Sequence, residues 1–233
     1  MAGVRAGVFS MSARSPERRD REYLEWHALD HLPEQYRIPE LRSGTRWVST
    51  PACRAARAAS TARYDAVDHV VGYLFADPLD DALAAFFSLG AALREAGRMP
   101  LRLPLVELGG FELRATLAAA GALVDATVLP WRPARGVYLL AEDGAAADVA
   151  TLLDVEGVAG AWSFDGSDAI HPRLAATAGV RLTLLYLDED PPAVAARLTE
   201  VLHVRWHDAS LTPLLAAPFV AVVPWRWDAA LPH

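Results

Sequence analysis

The chain has 233 residues, 53% of them hydrophobic, and a formal net charge of −7. That is enough to bury a substantial core in one or two domains, and the acidic balance argues against broad contact with nucleic acid or an anionic membrane. All 22 basic residues are arginine, so chemistry that needs a lysine amine, such as pyridoxal phosphate, an aldolase-type Schiff base or a P-loop, is excluded.

The first predicted element is a strand over 4–12, with Val and Phe as strand formers. Ser15-Pro16 then reads as a helix start, with Ser15 as cap, and the helix is expected to reach Leu32, where Pro33 and Pro39 interrupt the pattern. A second strand covers 41–49, and the Ala- and Arg-rich stretch 51–64 reads as a loop or loose helix. A third strand covers 68–77. Asp77-Pro78 opens a second helix, in which Leu79, Leu83, Phe86, Phe87, Gly90 and Leu93 recur at helical spacing. A fourth strand follows over 103–116, with a kink expected at Gly109-Gly110.

Residues 117–135 read as a linker, after which the order repeats. Strands are expected at 136–143, 158–166, 179–190 and 218–228, a short helix without histidine around 145–153, and a helix from Pro191-Pro192 onward. Both halves therefore read β-α-β-β-α-β, the split βαβ order of a ferredoxin-like unit. The fold class is α+β, with units at 1–116 and 136–233. The repetition lies in element order, since residue identity between the halves is weak.

The most informative stretch is "YLEWHALDHLPE", 23–34. On a helical wheel Leu24, His27, Ala28, His31 and Leu32 share a face, with His31 near its centre. An imidazole buried in such a stripe needs a hydrogen-bond partner or a task. It is either a structural histidine bonded to a backbone carbonyl, or a functional base with His27 as its neighbour. Metal binding is the third reading, because His27 and His31 have two-ligand spacing and His203 and His207 repeat it. The glutamate of a His-Glu-x-x-His motif is missing, however, and no third ligand is signalled, so no metal is expected. Alternation puts His69, Val71, Tyr73 and Phe75 on one strand face, where His69 and Tyr73 are polar handles in an apolar wall or packing residues. Tyr36 and Trp47 can stack on a planar ligand or pack in a core.

Cys53, the sole cysteine, excludes an internal disulfide and any multi-cysteine centre held by this chain alone, and it reads as incidental. Trp225 and Trp227 flank Arg226, either as a cation–π stack or as an edge contact. Asparagine is absent as well as lysine, and Ala and Arg are abundant. This pattern of coding bias lowers the functional signal of any single arginine.

"EYLEWHALDHLPE" followed by "IPELRSGTRWV" resembles the EthD-like branch of the dimeric α/β-barrel superfamily. There a first helix bears a Trp/Tyr-x-x-x-x-His-Leu-Pro pattern, the chain turns through a proline, and the next strand carries an arginine. Here the pattern falls on Trp26, His31, Leu32, Pro33, Pro39 and Arg46, and the match covers about 4–115. The resemblance implies two units packed sheet to sheet as an intramolecular dimeric α/β barrel, a pseudo-dimer working as a monomer or as a homodimer of such chains. It also implies an apolar cleft between sheet and helices.

The resulting expectation is a cofactor-independent acid/base enzyme of isomerase, cyclase or lyase type. Its substrate would be a small, mostly apolar oxygenated ring compound, such as a polyketide-like or aromatic-catabolic intermediate. His31 is the expected catalytic imidazole and His27 its companion. Trp26, Tyr36, Arg46, Trp47, His69 and Tyr73 are candidates for substrate contact. The alternatives are a non-catalytic binder of small hydrophobic ligands and a haem- or oxygen-using monooxygenase. No apolar run approaches the roughly 18 residues of a membrane span, and the N-terminal charge order is the reverse of a signal peptide's. A soluble, cytoplasmic protein without nucleic-acid or membrane partners is expected.

Overall fold

The computed structural model describes residues 3–144, 148–208 and 211–231. Strands β1 (Ala6–Ser12), β2 (Leu41–Val48), β3 (Ala59–Ser60), β4 (His69–Phe75) and β5 (Leu105–Ala118) make up the first half. Strands β6 (Gly136–Gly144), β7 (Val158–Gly166), β8 (Val180–Leu187) and β9 (Leu211–Ala221) make up the second. The spatial orders are β2-β4-β1-β5 and β7-β8-β6-β9, which is second-third-first-fourth in each half once the short β3 is set aside. The ladders are antiparallel.

The halves meet edge to edge rather than as two stacked sheets. β5 is long enough to pair with β1 and then, from Phe111 to Ala118, with β7. Trp47 and Val48 of β2 pair with Ala221 and Val220 of β9. Eight strands thus close into a barrel, and β3 adds only to β9. Leu117 and Ala118, expected in the linker, are the last residues of β5, and a 3₁₀ turn at Ala126–Trp131 leads on to β6.

Alternation along the strands sends one side-chain set inward. Phe9, Met11, Trp47, Phe111, Trp162 and Phe164 are among the residues that fill the barrel. The Phe9 ring is completely buried and meets Phe111 and Phe164 edge-on, at 5.7 and 5.3 Å between centroids. Gly72 stands directly opposite Phe9 in the ladder. A Cβ there would come within 2.7 Å of the Phe9 ring, so the glycine is the space into which the phenyl fits.

The outward set is covered by helices. α1 (Asp20–Trp26), a π turn at His27–His31 and α2 (Leu32–Gln35) form one continuous helix. α3 (Pro51–Ala55) is a short turn of helix capped by the Thr50 hydroxyl. α4 (Leu79–Glu95) lies over the first half and packs Ala82, Leu83 and Phe86 on Val71, Tyr73 and Phe75. α5 (Pro191–Asp208) covers the second half, with Val194, Leu198 and Leu202 against Tyr138, Leu140 and Leu185. No helix among the described residues is long and apolar enough to cross a membrane.

Several expected boundaries move. The first helix starts at Asp20, not Ser15, because the buried Asp20 carboxylate accepts the Ser15 N–H at 3.1 Å and so holds the preceding turn outside the helix. Pro33 does not end that helix, which runs on to Gln35. A proline lacks the donor N–H and crowds the carbonyl four residues back. The π turn, closed by Leu32 N–H to His27 O, puts Pro33 in the first turn of α2, where no donor is required. β5 runs through Gly109-Gly110 in unbroken register with β1, and its irregularities lie elsewhere. β9 begins seven residues before the expected 218, since Pro213 and Pro218 obscured its pattern. Part of the short helix expected around 145–153 lies outside the described residues, and its remainder is a 3₁₀ turn at Ala150–Asp154. Trp225 is exposed while Trp227 packs on Leu24 and Val48, so the two do not sandwich Arg226.

If the Phe9 cluster holds the closed barrel, Phe9→Ala should lower the free energy of unfolding by about 3–5 kcal/mol. Urea denaturation followed by circular dichroism measures this, and a loss below about 1 kcal/mol would show that the interior collapses freely around the deletion.

Candidate active site

The outer face of β1, β2 and β4 is not fully covered. Between the first helix and α4 lies a cleft of about 410 Å³, a usual size for a small-molecule site. The sheet contributes Ser10, Ser12, Arg46, Val71 and Tyr73, and the first helix Trp26, His27, His31 and Gln35. α4 adds Phe86, Phe87 and Arg94, and the connection after it adds Leu101, Arg102 and Leu103. Arg173 arrives from the β7–β8 connection in the second half of the chain.

The π turn shapes this wall. It takes more residues per turn than an α-helix, and the imidazoles of His27 and His31 lie 5.5 Å apart. The His31 ring stacks on Trp26 at 5.0 Å and 29°. Its Nε2 is 3.2 Å from the Gln35 side-chain nitrogen, and its buried Nδ1 has no hydrogen-bond partner. Gln35 Oε1 is likewise buried without a partner, and the amide can present either end to Nε2. With N–H toward the ring, the His31 proton sits on Nδ1. With the oxygen toward it, Nε2–H donates and Nδ1 is left as an acceptor. Burial, with the Arg46 charge adding to it and Asp30 opposing, lowers the His31 pKa from 6.5 to about 4.

His27 Nε2 is 2.9 Å from the Tyr73 hydroxyl. Burial first, then Arg46, His31 and His69, hold His27 well below the usual imidazole range. Burial also pushes the Tyr73 hydroxyl up. The pair is therefore neutral on both sides at neutral pH. Arg46 is 8% exposed; it donates to the Tyr23 hydroxyl at 3.2 Å and lies 4.9 Å over the Tyr23 ring. Its Nε has no partner. The rim is tied by Arg98, which bonds Glu34 at 2.8 Å and Asp30 at 3.0 Å, while its carbonyl accepts from the Trp26 indole at 3.1 Å.

Of the residues singled out in the sequence, Trp26, His27, His31, Arg46 and Tyr73 meet in the cleft. Three others lie elsewhere. Trp47 follows Arg46 on β2 and so faces the barrel interior. Tyr36 is 49% exposed, and its hydroxyl donates to Gly44 O and accepts from Gly44 N–H. His69 is fully buried behind Tyr23, with its Nε2–H donating to Asp20 at 2.8 Å. Sequence reading passed over Tyr23, although it stands four residues before His27. It also passed over Gln35, Arg94, Arg102 and Arg173, and nothing local marked Arg173.

Other candidates are remote from this cluster. Cys53 is buried, and burial pushes its thiol up. His203 and His207 lie on α5, over the second half. Among the described residues no three His, Cys, Asp or Glu side chains converge as a metal site. A second cavity, of about 480 Å³, crosses the seam between the halves beside Arg42, Leu113, Thr127, Trp131 and Trp162, and it holds no histidine.

No family model and no curated protein matches the sequence. Solved structures do resemble the fold across nearly their whole length. A chlorite dismutase-like protein is 12% identical over 96% of each chain, with a TM-score of 0.53. An anthrone oxidase-like protein is 10% identical over 96% of this chain and 94% of its own, with a TM-score of 0.51. The likeness is one of fold. The chain resembles the dimeric α/β barrels.

The lowered imidazoles have a measurable consequence. His27, His31 and His69 all titrate below 6.5 in the folded chain. The unfolded chain then binds more protons as pH falls from 6.5 toward 4, so stability declines through that window. The urea midpoint should be lower at pH 5 than at pH 7.5, and His31→Gln should reduce the difference. Proton NMR should give the His31 ring a midpoint near 4; a midpoint near 6.5 would show an open, solvated ring.

Proposed function

We propose that the chain is a cofactor-independent acid/base enzyme of isomerase, cyclase or lyase kind, acting on a small, mostly apolar oxygenated ring compound. The observation that carries this is a neutral imidazole, His31, in a cleft wall with one nitrogen free of any protein partner. The nearby hydroxyl of Tyr73 and the rings of Trp26, Phe86 and Phe87 support it. The enzyme-like names of both structural neighbours support an enzymatic reading in general.

In this reading the ring compound lies against Trp26 and Phe86. Tyr73, whose oxygen accepts from His27 Nε2–H, donates its own proton in a hydrogen bond to a substrate carbonyl oxygen. That bond acidifies the adjacent C–H. With Gln35 Oε1 holding Nε2–H, His31 Nδ1 takes the proton, and the electron pair of the broken C–H bond moves onto the carbonyl oxygen as an enolate. Return of the same proton from Nδ1 to a different carbon gives the isomer, and the imidazole is neutral again. A base of this kind contributes about 10²–10⁴-fold in rate.

The two halves are read here as tandem ferredoxin-like units, 1–116 and 136–233, joined by 117–135, with the first EthD-like. The support is the strand order shared by both halves and the Trp26, His31, Leu32, Pro33, Arg46 pattern. The second unit is then a built-in partner, and the chain forms its barrel as a monomer. A second reading, a haem- or oxygen-using enzyme, has one observation in its favour. His31 stays neutral with a free nitrogen, the form in which an imidazole ligates iron. A Soret band with stoichiometric iron in the purified protein would establish it.

The test of the first reading is deuterium exchange at the acidic carbon of a panel of aromatic ketones, followed by NMR. Exchange should be faster with the protein than with buffer. His31→Ala should slow it by about 10²–10⁴-fold, and His27→Ala by much less. If no panel member exchanges faster than with the His31→Ala variant, the cleft is a binding site without turnover.

A further inference from the structure

The charged side chains that line the cleft are all of one sign, although Asp30 and Glu34 stand at its rim. Arg46, Arg94, Arg102 and Arg173 line it, and no Asp or Glu does. Most arginines of this chain stand within 4 Å of a carboxylate, Arg19, Arg37, Arg63, Arg98, Arg114, Arg132 and Arg197 among them. None of the four cleft arginines has such a partner among the described residues. The contrast is sharpest for buried guanidinium groups. Arg57 has Asp68 at 3.4 Å, and Arg205 has Glu142 at 2.9 Å. Arg46 has the Tyr23 phenol and no carboxylate; its buried Nε, like that of Arg57, has no partner. The carboxylates at the rim and behind Tyr23 pair with other groups: Asp30 Oδ2 and Glu34 with Arg98, and Asp20 with His69.

A cation withdrawn from water without a counter-charge is unfavourable. A ligand that brings the counter-charge relieves that cost and gains a charge-assisted, fork-shaped hydrogen bond. We infer that the cleft takes an organic anion, an aromatic or alicyclic carboxylate, with its acidic group against Arg46 and its ring between Trp26 and Phe86. The inference rests on the reading of this cleft as the functional site and names the class of its substrate. Arg94, Arg102 and Arg173 are exposed. Each is worth little as a contact, but together they steer an anion toward the mouth. Arg173 belongs to the second half of the chain, so that half contributes to the site and does not only cover the sheet.

The experiment is isothermal titration of the full chain with two probes of one shape, 2-naphthoate and its neutral amide, 2-naphthamide. Naphthoate should bind about ten- to a hundredfold more tightly, the range expected for hydrogen bonds to a charged group. Rising ionic strength should weaken naphthoate and leave naphthamide unchanged. Arg46→Gln should remove the preference, and Arg46→Lys should keep part of it. The triple variant Arg94→Gln, Arg102→Gln, Arg173→Gln alters only exposed side chains; it should keep the preference and lose most of the salt dependence. Equal affinity for the two probes, or no binding of naphthoate, would overturn the inference. Neither probe offers an exchangeable carbon acid, so this outcome is independent of the deuterium exchange assay. Binding of naphthoate through Arg46 without any exchange would leave this inference standing and remove the acid/base reading. Exchange without anion preference would do the reverse.

Discussion

Both free edges of the first four-stranded half are used in pairing, β5 with β7 and β2 with β9. Once the sheet is closed, its inner face is shared by both halves and must be filled to interior density. Phe9, Trp47, Trp162 and Phe164 do this, and the void beside Trp47 and Gly72 is about 10 Å³. The interior is thereby removed as a place for ligands. Ligand space then lies beyond these packed rings: one cavity crosses the seam beside Trp131 and Trp162, and the histidine-lined cleft opens on the outer face, where the first helix and α4 stand apart. Over the second half α5 sits directly on the strands. Over the first half the covering helix carries a π turn, and the gap beside that turn is the cleft.

The elements were legible where the pattern is local. Composition and alternation located the long strands, β9 only in its last part, and missed the two-residue β3 inside the stretch read as a loop or loose helix; the spacing of Leu79, Leu83 and Phe86 located α4. The repeated element order pointed to two similar halves and the family resemblance to a barrel, and the structure is a closed barrel with the same strand order in each half. Edge pairing was not legible, because it depends on the length of β5, whose last residues look like linker. Pro33 was misread for a related reason. A proline stops a helix only if the turn before it keeps α geometry, and widening by one residue is invisible in composition. In the site, alternation put His69 and Tyr73 on one face of β4 without fixing which way that face points, and Arg46 was singled out by the family resemblance alone; alternation applied to the pair Arg46-Trp47 would have set Trp47 on the opposite face, which is the barrel interior. His69 shares the outward parity of Tyr73 on β4 but lies at the strand end beneath Asp20, a tertiary contact across 49 residues that sequence spacing cannot reveal.

The arginines show how a compositional argument can mislead. In a chain whose basic residues are all arginine, an individual arginine carries little information, and this discounting is sound as long as only sequence is in view. Pairing restores the information. On the surface, arginines next to Asp and Glu, such as Arg19 with Glu22 or Arg132 with Asp188, behave as solvated ion pairs worth little. The buried Arg46 without a carboxylate differs in kind, since its environment supplies burial without the compensation that Arg57 and Arg205 receive.

Arg46 also links the two chemical features of the cleft. It is the first charge, after burial itself, that holds His27 and His31 in their neutral forms. A neutral imidazole is the form able to accept a proton, but one with a pKa near 4 accepts it weakly, because the resulting imidazolium would face a second buried cation. An anion seated against Arg46 cancels that second charge. The opposition to protonation at His31 then reduces to burial alone, partly offset by Asp30, and the ring becomes a stronger base once the ligand is in place. In the inferred complex, basicity and occupancy would thus be coupled through one guanidinium. If the inferred anion binds at Arg46, the ligand that completes the charge balance of that guanidinium is also the one that raises the proton affinity of the neighbouring ring.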